Sequence, residues 1–509
     1  MRHGLEPGTL SGYPDAVLGF LYAFLPKPPV YTAAANEEGE GIDDRISGLP
    51  DDLLRRIVAR LPAKDGARTA ALSTRWRGLW RSAPLVLVDT HFLPRGGAEG
   101  RPPRRGDASR AVGRGVDAAL RAHPGPFPFV SLSCGFMEAV DRDRAVLARW
   151  FQLLATKGVE ELVFVNRPSP FEGLRLPAAL FSCASLRRLC LGAWRFVDTT
   201  TLPRGASFPR LHELVLGAIA LEDRDLDFLL AASPVLEILA IVGSVHKLNA
   251  RLASHSLRCA QFCLAIIEEV VVVDAPSLER LVIWQCLTQP RGARAKIKIG
   301  HAPQLSMLGY LEPEISLIEE LNTMALNVSF VLCIAVWNKA KCKNYCSKPA
   351  DVGLHLHFRV QNEVDMLPSF LRCFPNVETL CIQSEETSEP TGKLNLKFWK
   401  ETGPITCVQS HLKKLVFREF HGEENESAFL MFIAEHARVL ENMILVMELR
   451  RPSDPEALDA KMKALESARW ASGSSKVGYL ISRPAVGGAS AWSLRAGSDF
   501  KCNDPFLFL

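Results

Sequence analysis

Some residues of this sequence could do chemistry, but their spacing supports no catalytic centre. His355 and His357 alternate on a segment with strand character and could chelate a metal, although two solvent-facing histidines fit the same pattern. Cys342 and Cys346 lie four positions apart without a second pair at zinc-site spacing. No Gly-x-Ser-x-Gly elbow, His-Glu-x-x-His site or phosphate-cradling glycine loop occurs. The sequence therefore predicts no catalytic residue, no metal and no cofactor.

The composition is that of a soluble globular chain without a strong charge bias. The 509 residues carry 60 basic and 56 acidic side chains, a formal net charge of +4 that disfavours whole-chain nucleic-acid binding. Thirteen cysteines without framework spacing indicate buried reduced thiols and a cytoplasmic and/or nuclear location. Residues 16–25 are apolar but fewer than the about 20 that cross a bilayer, so we expect no membrane partner.

The densest group of signals runs over residues 43–89. Two Leu-Pro pairs, at 49–50 and 61–62, bracket apolar residues that recur every three and four positions, which predicts a helix. A second short helix is predicted over 64–72, and Ser73 is the predicted N-cap of a third. Because three helices in about 40 residues make a small core, we expect their leucines and tryptophans to serve a partner too. A helical cap on a larger domain is the alternative.

This stretch resembles the F-box of plant F-box proteins that carry leucine-rich repeats and a C-terminal FBD region. The resemblance covers nearly all of its 47 residues and is carried by positions 44–47, 49–51, 54, 57, 61–62, 64–65, 68–69, 72–73, 75–77, 79–80 and 84. It implies docking onto the Skp-type adaptor of a cullin–RING ubiquitin ligase. The residues that it implies for adaptor binding are Leu49, Pro50, Leu53, Ile57, Leu61, Pro62, Leu72, Trp76, Leu79 and Trp80.

Downstream, the sequence repeats the pattern L-x-x-L-x-Φ, in which Φ is apolar. The middle residue falls at positions 162, 189, 214, 239, 260, 281 and 308, in steps of 21 to 27 residues, and later copies centre on 380 and 415. Leucine-rich repeats have periods of about 20–29 residues. Each repeat has one short strand that only its neighbours can bury, so the pattern predicts an irregular solenoid, or horseshoe. Segments 141–157 and 223–232 have helical spacing and are expected on its outer side.

Strand residues that face away from the repeat core are expected to line the inner surface of this solenoid. A protein substrate would bind there or on the loops that follow the strands. The alternative is that the apolar members of this face are simply strand formers. The residues predicted to contact the substrate are Arg188, Glu213, Arg280, Trp284, Lys414 and Arg418.

The predicted fold class is α/β, with an N-terminal three-helix F-box, an irregular leucine-rich-repeat solenoid and a C-terminal FBD-type cap. The tail from residue 407 also resembles the FBD region and is expected to close the open end of the solenoid. A basic, cysteine-containing segment at 331–352 is interpreted as an insertion or an alternatively spliced segment. The predicted parts are an N-terminal extension, partly disordered with a short apolar helix (1–41), the F-box (42–89), a basic linker and helix (90–126), the solenoid (127–404), the FBD-like region (405–450) and a C-terminal closing element (451–509).

These features predict a non-catalytic, substrate-recruiting subunit of an SCF-type ubiquitin ligase. By the resemblance, the partners are a Skp-type adaptor and, through it, the cullin–RING ligase, together with an unidentified protein substrate. No nucleic acid and no membrane is expected. The alternative is a leucine-rich-repeat binding scaffold whose F-box no longer docks.

Overall fold

The structure is a computed structural model that divides into two compact units. The first unit comprises Leu25–His246, and the second comprises Met1–Phe24 together with Lys247–Leu509. The structure describes residues 13–30, 46–93, 107–135, 137–166, 174–284, 286, 295–305, 307–309, 316–321, 329–330, 350–373, 377–384, 398–448, 455–473, 476–482 and 494–500.

The chain contains helices and strands throughout the described residues. In order, the helices are α1 (Tyr13–Phe24), α2 (Asp51–Ala59), α3 (Ala63–Thr69), α4 (Thr74–Ser82), α5 (Asp107–Ala122), α6 (Asp141–Thr156), α7 (Asp223–Ala232), α8 (Gln361–Cys373), α9 (Phe398–Glu401), α10 (Thr406–Ser410), α11 (Glu424–His436), α12 (Pro455–Glu466) and α13 (Leu494–Ser498). The strands are β1 (Val86–Val88), β2 (Phe129–Leu132), β3 (Glu161–Val165), β4 (Arg188–Gly192), β5 (Glu213–Ile219), β6 (Ile238–Ser244), β7 (Leu248–Ala253), β8 (Cys259–Cys263), β9 (Ile267–Asp274), β10 (Arg280–Trp284), β11 (Ala295–His301), β12 (Met307–Gly309), β13 (Ser316–Leu321), β14 (Ser329–Phe330), β15 (Ala350–Leu356), β16 (Val377–Ser384), β17 (Lys414–Arg418), β18 (Asn442–Glu448) and β19 (Lys476–Ser482).

Helices α2, α3 and α4 form a small module at the start of the first unit. Prolines at the N-caps of α2 and α3 set the two helix starts, and the Ser73 hydroxyl accepts a hydrogen bond from the Trp76 amide at 3.3 Å, which confirms the predicted N-cap of α4. Leu54 and Val58, one helical turn apart, are fully buried on α2. Helix α3 ends earlier than predicted, because three successive i→i−3 bonds replace the helical pattern up to Leu72.

The repeat strands of the first unit form a parallel sheet in chain order, from β1 to β6. The predicted repeat register is confirmed, since Leu162, Leu189, Leu214 and Leu239 lie opposite one another across β3 to β6. All four leucines are fully buried. Helices α6 and α7 occupy the predicted helical segments. Strands β1 and β2 extend the sheet before the first recognised repeat.

The second unit contains a sheet that the sequence did not reveal. Strands β8, β10, β12 and β14 continue the repeat pattern in parallel, while β7, β9, β11 and β13 form a separate four-stranded parallel sheet. Strands β7 and β9 lie where the repeat step shortens to 21 residues, whereas β11 lies in a step of 27 residues. A strand advances about 3.3 Å per residue and a helix about 1.5 Å, so a strand can span the two shorter repeats with fewer residues.

A five-stranded parallel sheet closes the second unit, in the order β15-β16-β17-β18-β19. The FBD-like strands are β17 and β18, so they lie inside this sheet, whereas β19 lies at its edge. The FBD-like region is therefore not the last part of this sheet, since edge strand β19 lies in the predicted C-terminal closing element (451–509). Most of the predicted insertion, residues 331–349, lies outside the described residues.

Eight cysteines whose side chains the structure describes are buried and free, as predicted for reduced thiols. No helix in these parts of the chain is both long and apolar enough to cross a membrane.

Candidate functional site

Exposed apolar side chains concentrate on the three-helix module. Seven large apolar side chains are exposed among the described residues, and four of them lie between residues 46 and 72. These four are Ile46 at 52%, Leu53 at 43%, Ile57 at 36% and Leu72 at 67%. Leu53 and Ile57 are one turn apart and share a face of α2. A cluster of this kind on a small module marks a protein interface.

A side chain of α4 fixes the segment that leads into α2. The Arg75 guanidinium binds the Asp51 carboxylate, with Nη2 at 2.7 Å from Oδ1, and it also donates to the backbone carbonyls of Ser47 and Leu49. The loop that carries Leu49 and Pro50 is therefore tied to the third helix. Planar guanidinium groups suit such a role because their donors point in fixed directions.

The ten residues predicted for adaptor binding differ in exposure. Pro50, Leu53, Ile57 and Leu72 are exposed, and Leu49, Leu61, Pro62 and Trp80 are half-buried. Trp76 and Leu79 are only 8% and 2% exposed, so they belong to the core of the module. Ile46, in contrast, is exposed and was not among the predicted adaptor-binding residues, although it lies in the stretch that resembles the F-box. Its position just before the first Leu-Pro pair was the one feature of the sequence that could have indicated it.

Trp80 faces the rest of the first unit. Its ring lies 5.3 Å from the ring of His123, which follows α5, and His123 Nε2 donates to the Ala83 carbonyl at 3.0 Å. Burial lowers the pKa of His123, so the neutral ring with its proton on Nε2 is the favoured form. Gly125 is required beside it, because a Cβ there would lie 2.7 Å from His123 Nε2 and 2.9 Å from the Arg81 carbonyl oxygen. The module is thus joined to the repeats by specific contacts.

Two of the predicted substrate residues are paired with each other in the first unit. Arg188 lies between Glu161 and Glu213 on the neighbouring strands, with shortest N···O distances of 2.9 and 2.7 Å. Burial acts to lower the pKa of Arg188, but the two carboxylates outweigh it and raise that pKa. The row of charged side chains Glu161, Arg188 and Glu213 crosses strands β3, β4 and β5 on the face away from the leucine core.

Arg280 and Trp284 are not on an open surface, which corrects the expectation for β10. Arg280 is 6% exposed and donates to the carbonyls of Gly497 and Asp499, while Trp284 is 5% exposed with its ring 5.3 Å from that of Phe20 on α1. Segments remote in sequence cover both side chains. The sequence around Arg280 and Trp284 gives no indication of these contacts.

The remaining predicted substrate residues lie on β17. Lys414 is half-buried, and Arg418 is 5% exposed. Within the described part of the chain, Arg418 Nε and Nη2 have no hydrogen-bond partner.

Of the candidate metal ligands, His357 is the one whose side chain the structure describes. Among the described residues, no group of three or more His, Cys, Asp or Glu side chains is arranged to hold a metal ion. His357 is half-buried and pairs with Glu363, with Nδ1 at 3.2 Å from Oε1. It is therefore not the solvent-facing histidine that the alternation suggested. Cys342 and Cys346 lie outside the described residues.

Comparisons with known proteins match all three parts of the chain. The F-box domain model matches residues 46–87, the model of the LRR repeats of FBD-associated F-box protein At5g56370 matches residues 147–382, and the FBD model matches residues 400–445. F-box/LRR-repeat protein 13 of Arabidopsis thaliana is 25% identical over 431 residues, which cover 80% of this chain and 90% of that protein. FBD-associated F-box protein At5g60610 of the same plant is 25% identical, covering 78% and 98%.

The three-helix module, the parallel repeat strands and these matches define the chain as an F-box protein with leucine-rich repeats. More narrowly, the F-box, LRR and FBD matches together are similar to those of the F-box/FBD/LRR proteins of Arabidopsis thaliana.

Proposed function

We propose that this protein is a substrate-recruiting subunit of an SCF-type cullin–RING ubiquitin ligase. The observation that carries the proposal is the exposed apolar group on the F-box helices, held in place by a packed core and by Arg75. A Skp-type adaptor would cover Ile46, Leu53, Ile57 and Leu72. The repeats, as an open horseshoe, would hold a target protein.

The protein itself performs no covalent step in this proposal. Binding of the adaptor and the target to one chain raises the local concentration of the target near the ubiquitin-conjugating enzyme. Rigid coupling of the F-box to the repeats, through Trp80 and His123, would hold the target at a defined distance from the adaptor. The cytoplasm and the nucleus are the proposed locations.

Burial of the exposed group would drive docking. Complete burial of a Leu or Ile side chain contributes about 1.5–3 kcal/mol, and these side chains are already partly covered, so each would contribute about 1 kcal/mol. A charge placed in the middle of such an interface is desolvated without a partner and costs several kcal/mol. Ile57→Asp is therefore expected to weaken adaptor binding at least about 100-fold, while it changes stability little because Ile57 is exposed.

A pulldown and a calorimetric titration with a purified Skp-type adaptor test this expectation. Val140→Asp is the matched control, because Val140 is an equally exposed apolar residue of the first unit outside the F-box. Wild type and Val140→Asp should bind alike, and Ile57→Asp should not bind. Failure of the wild-type protein to bind the adaptor would favour the scaffold alternative. Equal binding by wild type and Ile57→Asp would show that the adaptor does not bind the exposed face of α2.

A further inference from the structure

One face of strands β8 and β10 in the second unit is buried, although its side chains do not belong to the leucine core. On β8 and β10, alternate residues turn away from that core, and Cys259 lies opposite Arg280 while Gln261 lies opposite Val282. Arg280 is 6% exposed and the other three are fully buried. In the first unit, the corresponding position is the half-buried Arg188. Something other than the repeat itself therefore covers β8 and β10.

The cover is a short segment from far along the chain, residues 494–500. Arg280 Nη1 donates to the Gly497 carbonyl at 3.0 Å and to the Asp499 carbonyl at 3.2 Å. The Cys259 thiol donates to the same Gly497 carbonyl at 3.5 Å. The Phe500 ring has the guanidinium carbons of Arg258 and Arg280 at 3.7 and 5.2 Å from its centroid.

These contacts select a chemistry. The Gly497 and Asp499 carbonyls belong to the main chain at the C-terminal end of α13, where the last carbonyls of a helix have no intrahelical partner. The two guanidinium groups, in contrast, prefer an aromatic ring. A salt bridge to Glu279 at 2.7 Å holds Arg258 beside the ring. The face thus binds two backbone carbonyls and the aromatic side chain that follows them. Peptide recognition commonly combines main-chain hydrogen bonds with side-chain pockets.

We propose that this face, formed by Arg258, Cys259 and Arg280, is a peptide-recognition groove that residues 497–500 occupy in the free protein. Its ligand in trans is a short segment of the protein substrate that presents, like the end of α13, main-chain carbonyls followed by an aromatic ring. The identity of this ligand as the substrate rests on the ligase function proposed above. The occupying segment belongs to the same chain, so its local concentration exceeds that of a free competitor because it is tethered.

A labelled peptide with the sequence of residues 494–500, Leu-Arg-Ala-Gly-Ser-Asp-Phe, tests the groove. Fluorescence anisotropy would compare the full wild-type chain with the full chain carrying Phe500→Ala, which empties the aromatic position. The variant should bind the peptide at least about tenfold more tightly than wild type, because the competing ring is lost. The same peptide ending in Ala instead of Phe should not bind, and adding Arg258→Gln to the variant should abolish the gain.

Equal peptide binding by wild type and Phe500→Ala, or no binding by either, would overturn the proposal and leave residues 494–500 as a permanent seal. If the variant does not fold, hydrogen exchange of the wild-type chain tests whether residues 494–500 can leave the groove. A displaceable segment should exchange its amides at least about tenfold faster than β8 and β10. Equal protection of the segment and the strands would overturn the groove.

Adaptor binding, measured on the same proteins, separates this inference from the proposed function. Phe500→Ala should bind the adaptor as wild type does. Loss of peptide binding with intact adaptor binding refutes the groove alone, and loss of adaptor binding by the wild-type chain refutes the ligase function alone.

Discussion

At the scale of single residues, the least expected group is the buried carboxyl of Asp89, just after β1. Asp89 is 1% exposed, and its Oδ2 accepts a hydrogen bond from the Cys134 amide at 2.7 Å. It borders a cavity of about 40 Å³ that is also lined by Gly113 and Asn166. Burial raises the pKa of Asp89 to about 6, against the opposing effect of backbone hydrogen bonds. The carboxyl is therefore ionised at neutral pH only at a cost to stability.

The raised pKa predicts a pH-dependent stability. The folded protein holds a proton on Asp89 that the unfolded chain, with a pKa near 3.8, has released. The stabilisation that the protonated Asp89 carboxyl contributes is therefore complete below pH 3.8, and it is lost as the pH rises through about 6. Between pH 4.5 and pH 7.5 the wild-type protein should lose about 2 kcal/mol more than Asp89→Asn, which cannot ionise.

Urea unfolding at the two pH values measures this difference, with Asp227→Asn on exposed α7 as the control. The control should follow wild type. Parallel pH dependence of Asp89→Asn and wild type would show that Asp89 does not titrate in this range.

At the scale of elements, α11 is anchored by a carboxylate inside its first turn. Glu426 is fully buried and accepts hydrogen bonds from the Glu423 amide at 2.9 Å and the His421 amide at 3.1 Å. It also accepts from the Ser384 hydroxyl at the end of β16. The Glu423 and Glu426 side chains form a capping box, so one residue both starts the helix and joins it to the sheet.

Glu426→Ala should lower the free energy of unfolding by about 3 kcal/mol, because it leaves two backbone donors and a hydroxyl unsatisfied. Glu424→Ala, on an exposed position of the same helix, should change it by less than about 0.5 kcal/mol. Denaturant unfolding followed by circular dichroism measures both. An equal effect of the two substitutions would show that the Glu426 network contributes nothing specific.

Strands and helices could be predicted from the sequence wherever apolar residues recur with a regular local spacing. Leu162, Leu189 and Leu214 fixed the strand register, since each repeat presents the same apolar positions to its neighbours. The four-stranded sheet with β9 was not predicted, because alternation such as that of Val270 and Val272 indicates a strand but not the sheet to which the strand belongs. The burial of Arg280 could not be predicted, because the segment that covers it lies 217 residues away in sequence.

At the scale of the whole molecule, the two proposed binding surfaces belong to different compact units. The F-box lies in the first unit, and the groove around Arg280 lies in the second. Their residues share no contact partner among those described above. Effects of substitutions at sites without shared partners are usually additive.

The double variant Ile57→Asp with Phe500→Ala should therefore combine the two single effects. It should lose adaptor binding, as Ile57→Asp does, and keep the gain in peptide binding of Phe500→Ala. Titrations with adaptor and labelled peptide, each with and without the other ligand at saturation, measure the coupling. A change of more than about threefold in either affinity would show that the two sites communicate.

The packing of α1 on β10 has a consequence for the nascent chain. Helix α1 buries Val17, Leu18, Phe20 and Leu21, and Phe20 meets Trp284 of β10. About 260 residues separate the end of α1 from that tryptophan, so at roughly 5–20 residues per second the helix waits roughly 13 to 50 seconds for its strand during translation. Until then its apolar face is open at the ribosome, where a chaperone would be its first binding partner.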